Sequence, residues 1–175
     1  MAEPITCANP KCGRRFNPSF TKCPFCNTPS RSPAPPAGPD YTALAERTIA
    51  SHQAFVPLEF HPAAVAALDA FCDVTWGPEG LAAGDADWAP NDGQRVAIVN
   101  LGAFFGDLLR RELGGRWQAD PAAPENPCNA RVVLKLGARE VEVAPVRAAF
   151  NRLRSGTQAT FESTYAQLRT LLGRG

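Results

Sequence analysis

Four of the chain's six cysteines fall in one short segment with the spacing Cys7-x4-Cys12-x10-Cys23-x2-Cys26. Two close pairs, separated by enough residues for a short hairpin, bring four thiolates to one tetrahedral ion with each sulfur about 2.3 Å from the metal. The residue after each pair fits this turn, which ends in positive φ. Gly13 and Asn27 are the types that adopt that conformation most cheaply. Pro24 restricts the second turn further. Four protein sulfurs leave no open position for a catalytic water, so Cys7, Cys12, Cys23 and Cys26 are expected to hold a structural Zn²⁺. Iron in a rubredoxin-like site is the rival metal for the same donors, and disulfides are the alternative without one.

The apolar side chains around the cysteines are Ile5, Phe16, Phe20 and Phe25, too few to fold the segment unaided. Metal binding has to supply the folding free energy, on the order of 10 kcal/mol or more for cysteine-rich zinc peptides. Through Cys12-Gly13 and Cys23-Pro24-Phe25-Cys26 the segment resembles the short zinc ribbons at the ends of many bacterial and archaeal proteins. Its first pair has four intervening residues where two is the commoner number. The segment is also basic. Up to residue 39, Lys11, Arg14, Arg15, Lys22 and Arg31 oppose only Glu3, a net +4, whereas residues 40–175 carry −3. A tetrathiolate zinc is formally −2, which offsets half of that charge. A solvated basic face is one reading and nucleic-acid binding the alternative.

Further elements have to place any second site. Residues 28–39 hold five prolines and no large apolar side chain, which makes them a linker with polyproline II character; Pro33 and Pro36 also read P-x-x-P. Asp40 can cap a helix through about 54, with Tyr41, Leu44, Thr48, Ile49, His52 and Phe55 on one stripe. A second helix enters at Pro62 and carries Val65, Leu68, Phe71, Cys72 and Trp76; the first two helices are expected to pair antiparallel. After a Gly-, Pro- and Asp-rich loop at 77–93, the third helix, about 94–113, presents Val96, Val99, Gly102, Phe105, Gly106, Leu109 and Leu113. Gly102 and Gly106 lie one turn apart and predict a close neighbour on that face.

Gly114 and Gly115 end this helix and a short strand, 116–119, follows. Ala130, Val132, Leu134 and Leu136 alternate in a second strand that turns at Gly137-Ala138 into a third, 139–143, a half-buried hairpin. A helix from Pro145 carries Val146, Phe150 and Leu153 and breaks at Gly156; a last one, 158–172, carries Phe161, Tyr165, Leu168 and Leu172. The expected fold is α+β: a zinc ribbon at 1–27, the linker at 28–39, and at 40–175 helices covering one side of a three-stranded antiparallel sheet.

Chemistry in this larger part is sparse. His52 and His61 stand beside no Ser or Cys in a nucleophile motif; the first reads as a core or rim residue and the second as a helix entry. Cys72 lies on a buried stripe as an inert thiol, and Cys128 in a Pro-rich loop is open to oxidation but lacks a partner. Asp85, Asp87 and Asp92-Gly93 suggest a calcium loop, yet Pro90 and Val96 occupy the places of its Gly and its Glu. Gly102 and Gly106 belong to a helix and not to a phosphate loop. Trp88 is read as capping the core from the 77–93 loop, with a partner anchor as the alternative.

Leu101-Gly102-Ala103-Phe104-Phe105-Gly106-Asp107, Gly115-Arg116-Trp117, Val143-Ala144-Pro145-Val146 and Asn151-Arg152-Leu153 resemble a bacterial domain of unknown function over about 94–172. That resemblance implies a fold but no activity, and it singles out Asp107 and Arg152, for which a helix-packing or ion-pair role is the plain reading.

Apolar residues at 45% and charged residues at 20% are a globular composition, and no apolar run is long enough for a bilayer. The N-terminus has neither the basic nor the apolar region of a secretory signal, so a cytoplasmic protein without a membrane is expected. These features point to an adaptor or regulatory protein with a protein partner. Nucleic-acid binding by the ribbon is the alternative, and an enzyme in the larger domain is a further one.

Overall fold

The computed structural model describes residues 4–7, 9–17, 20, 22–28, 39–52, 58–83, 85, 87–124, 126–136 and 139–173, and only the backbone of Ile5 and Leu136. Contacts divide the chain into two units, Met1–Ala37 and Gly38–Gly175. Of the expected linker, 29–38 lie outside the described residues, as do Phe55 and the turn at Gly137-Ala138.

In the first unit β1 (Ile5–Thr6) pairs antiparallel with β2 (Arg15–Phe16), Ile5 opposite Phe16 and Thr6 opposite Arg15. Phe16 is buried, but Phe20 and Phe25 are 51% and 55% exposed. The buried side chains that gather here are Phe16, Cys7 and Cys23, with Cys12 and Cys26 at their edge.

The second unit is α+β, with five helices packed on a three-stranded antiparallel sheet. Helix α1 (Tyr41–His52) starts where the Asp40 carboxylate accepts the Ala43 N–H at 3.0 Å. Helix α2 is Ala63–Trp76, entered through Pro62. Helix α3 (Asp92–Leu113) begins in a capping box, the Asn91 side chain accepting from Gln94 N–H and the Gln94 side chain from Asn91 N–H, both at 2.9 Å. Strands β3 (Gly115–Gln118), β4 (Arg131–Leu136) and β5 (Arg139–Val143) run in the order β3-β4-β5, aligning Trp117 with Val132 and Val132 with Val143. Helices α4 (Pro145–Ser155) and α5 (Phe161–Leu171) complete the unit.

The core centres on α3, where every residue from Leu101 to Leu109 is buried. An amphipathic stripe is therefore the wrong description of this stretch. Helix α1, helix α4 and the sheet all pack on α3, so no side of the stretch from Leu101 to Leu109 is left to solvent, while Val96 in its first turns is 60% exposed. The expected pairing of α1 with α2 is also corrected. Helix α1 packs on α3 and α2 packs chiefly on α5, while His52 meets Phe71 of α2 edge to face. Strand β4 departs from simple alternation, because Val132, Val133 and Leu134 are all buried at its central place.

The close approach expected at Gly102 and Gly106 is present. A Cβ on Gly102 would lie 2.5 Å from Val146 Cα, and one on Gly106 would lie 2.2 Å from Cη2 of Trp117. Helix α4 and the indole of β3 can reach α3 only because these positions carry no side chain. Trp88 leans on Phe150 with ring centroids 5.7 Å apart, in keeping with a cap over the α4 side of the core.

Candidate metal centre

The sulfurs of Cys7, Cys12, Cys23 and Cys26 all lie within 4.8 Å of one another. Cys7 Sγ is 3.4 Å from Cys26 Sγ, and Cys12 Sγ is 3.8 Å from Cys23 Sγ. A tetrahedron with metal–sulfur bonds of about 2.3 Å has edges of about 3.8 Å, so the separations fit a four-sulfur site. They are far longer than the about 2.05 Å of a disulfide, and all six cysteines are free. This cluster could hold a metal ion.

Backbone hydrogen bonds show how the sequence builds it. In the second turn Asn27 N–H donates to the Cys23 carbonyl at 2.9 Å, and Cys23 N–H donates to the Thr28 carbonyl at 2.8 Å. The first turn repeats the scheme with two residues added. Gly13 N–H donates to the Asn9 carbonyl at 3.2 Å, and Cys7 N–H donates to the Arg14 carbonyl at 2.9 Å. Asn9 thus takes the place in the first turn that Cys23 takes in the second, and the ligand lies two residues earlier. Both turns close in positive φ, +57° at Gly13 and +58° at Asn27. The wider first spacing is the same knuckle with a longer entry.

Hydrogen bonds reach the sulfurs at two corners, and at Cys26 they favour the thiolate. Asn9 N–H points at Cys7 Sγ from 3.4 Å, and the Thr28 hydroxyl lies 3.2 Å from Cys26 Sγ. Hydrogen bonds from the Thr28 side chain and backbone hold the Cys26 thiol down to about 6. Burial pushes Cys7 up to about 12, so a cation is needed to keep its thiolate in place. Cys7 and Cys23 form the buried edge of the cluster, and Cys12 and Cys26 the half-exposed one.

The other singled-out residues disperse into structural roles. Arg152 is 1% exposed and donates from Nε to Asp69 Oδ1 at 2.7 Å and from Nη2 to Asp73 Oδ1 at 2.6 Å. Asp69 also accepts the N–H groups of Phe161 and Glu162 at 3.1 and 2.9 Å, so one carboxylate joins α2, α4 and the start of α5. Neither acid was visible as a partner in the sequence, although Asp69 falls on the apolar stripe of α2 beside Leu68 and Cys72, and a charge in such a place needs a counter-ion. Asp107 accepts from Arg110 Nε at 2.6 Å, Arg111 Nε at 2.7 Å and Thr42 Oγ1 at 3.2 Å. Arg111 in turn lies over Phe60, 3.8 Å from its centroid.

Cys72 is buried, which pushes its thiol up to about 12 and makes it inert at neutral pH. Cys128 is exposed. His52 Nδ1 lies 2.9 Å from the Thr48 carbonyl, and His61 Nδ1 accepts from Ala63 N–H at 3.2 Å at the entry of α2. Glu79, Asp85, Arg154, Ser155, Thr157 and Gln158 line an open depression of about 870 Å³ at the 77–93 loop, and its described lining has no His, Cys or Lys. No helix is long and apolar enough to cross a membrane among the described residues. Comparison with protein-family models, with curated proteins and with solved structures finds no match.

Proposed function

We propose that Cys7, Cys12, Cys23 and Cys26 bind one structural Zn²⁺ that folds residues 1–27 into a zinc ribbon, and that the protein is an adaptor or regulatory protein whose partner is another protein. The observation behind this reading is the convergence of four sulfurs within 4.8 Å in a unit where Phe16 is the buried aromatic ring among the described residues. Four thiolates suit zinc or iron alike, and zinc is favoured because the segment is much shorter than a rubredoxin domain. A site with four protein sulfurs has no vacant position, so the metal's role is to hold shape. A module that exists to hold shape presents a surface, and residues 28–39 would tether that surface to the domain at 40–175.

Elemental analysis of purified, reduced protein should find one zinc per chain and none after Cys23→Ser with Cys26→Ser. Affinity capture with wild type and this double variant should then differ in one protein, which must rebind when both are purified, with a defined stoichiometry. Absence of a transition metal removes the ribbon. A partner indifferent to the double variant places docking on the larger domain, and a chain that binds no purified protein removes the adaptor reading.

A further inference from the structure

We propose that the outer face of the ribbon formed by Lys11, Arg14 and Phe25 binds single-stranded nucleic acid. This goes beyond the protein-partner reading and rests only on its metal-held ribbon.

The first observation is charge. From Pro4 to Thr28 the sequence carries four cations and not one carboxylate. With a tetrathiolate zinc at −2 the folded module is still positive, and nothing acidic within it competes for the cations. The second is the position of Phe25. Its ring is 55% exposed, in a unit so poor in buried apolar surface that covering the ring would have helped it fold. Phe25 lies between Pro24 and Cys26 in the turn that carries two of the ligands, so the metal that holds the turn also fixes where the ring stands.

The third observation is that the two features coincide. The Arg14 guanidinium lies over the Phe25 ring, 4.7 Å from its centroid. Asn9, Lys11, Arg14 and Phe25, with the half-exposed Cys12 and Cys26, line one concavity of about 470 Å³. A flat guanidinium on an aromatic ring is a platform on which a nucleobase stacks, and an adjacent lysine reaches the phosphate of the same nucleotide.

This pairing of features selects the polymer. An acidic peptide would satisfy Lys11 and Arg14 but offers no flat partner to the platform. Duplex nucleic acid offers phosphates, but its bases are stacked on one another. A single strand brings both groups in every nucleotide, and the small net charge limits the electrostatic share to about two phosphates. For two contacts on a single strand, the log–log dependence of affinity on salt has a slope of about −1.4.

The experiment uses the full chain with its metal content measured, a fluorescent twelve-nucleotide oligo-dT or oligo-U, and anisotropy at several salt concentrations. A duplex of equal length and a poly-glutamate peptide serve as competitors. The single strand should bind with a slope near −1.4, and both competitors should displace it poorly. Phe25→Ala and Arg14→Glu should each weaken binding at least tenfold while metal per chain stays the same, because both side chains are exposed. The proposal is overturned if the metal-loaded protein does not bind at low salt, if both variants bind like wild type, or if poly-glutamate displaces the strand as well as unlabelled oligo-dT does. A chain that holds no metal points instead to failure of the ribbon itself.

Discussion

The two units of this chain solve the same problem with different means. The amino-terminal unit gathers Phe16, Cys7 and Cys23 and leaves two phenylalanines more than half exposed, whereas the carboxy-terminal unit buries side chains from all five helices, with α3 at the centre. In the first, four sulfurs gather at one point, where the proposed ion would supply the cohesion. In the second it comes from burial over a wide area, with Arg152 and Asp107 as ionic ties inside it. The difference teaches that stability here is local in kind, so a perturbation can be chosen that strikes one unit and spares the other. Trp76, Trp88 and Trp117 all belong to the larger unit, so tryptophan fluorescence follows that unit alone.

The largest expected effect is metal removal. If the proposed zinc is bound, it contributes on the order of 10 kcal/mol or more, so a strong chelator, or Cys23→Ser with Cys26→Ser, should collapse the amide signals of residues 4–28 in a ¹H–¹⁵N spectrum. The tryptophan-detected urea midpoint should not move. Ribbon signals that persist without metal would break the contrast at its base. Next is Arg152→Met, which strikes the other unit. Removing a guanidinium that is 1% exposed leaves Asp69 buried without its cation, at a cost of about 3–5 kcal/mol. Urea unfolding should show that loss with the metal content unchanged. Adding Asp69→Asn should restore part of it, and a double variant no more stable than the single one would argue against the ion pair as the cause.

Glycine sharpens the comparison, because the same residue type serves opposite ends in the two units. Gly102 is required by its neighbour: Gly102→Ala sets a methyl 2.5 Å from the backbone of Val146, and overpacking of this sort costs about 1–3 kcal/mol even against the roughly 1 kcal/mol that alanine adds to a helix. Gly13 is required by its own backbone. Among the described residues no atom lies within 4 Å of a Cβ there, but φ is +57°, so alanine should cost about 1–2 kcal/mol of metal-coupled folding. Asparagine at position 13 should cost much less, since Asn27 holds the same conformation in the sister turn. Competition with a zinc indicator measures both, and Gly13→Asn as damaging as Gly13→Ala would show that something other than backbone conformation is at stake.

What could be read from the sequence follows the same division. The cysteine cluster is local information. Ligand spacing and the two residues after each pair lie within a few positions of one another, and Gly13 and Asn27 do show the expected positive φ. Helix positions and the hairpin are also local. Partner choice is not. The apolar stripe of α1 says that the helix is covered but not by what, and α3, buried on every side from Leu101 to Leu109, has more apolar faces than α2 and takes α1 for itself. Gly102 and Gly106 announced a close approach, while Val146 and Trp117 as its agents are known only from the fold. The role of Asp69 is not local, because its counter-ion stands 83 residues away in the chain.

The smallest effect concerns acid, and its sign follows from Asp107. This carboxylate has 0% exposure, and burial acts to push it up, but hydrogen bonds from Arg110 and Arg111 outweigh burial and hold it below its usual value of 3.8. As pH falls, the unfolded chain therefore takes up its proton first. The stability contributed by this group is present in full above about pH 5, declines from about pH 4, and is lost as pH passes through the lower folded value. The tryptophan-detected urea midpoint should stay flat from pH 7 to about 5 and then fall. Asp107→Asn should be less stable at pH 7 yet fall less below pH 4, since its amide does not titrate. Wild type and variant declining in parallel would locate the acid sensitivity in other carboxylates. Metal loss from the ribbon in the same range does not enter the signal, which makes this weak effect measurable in the intact chain.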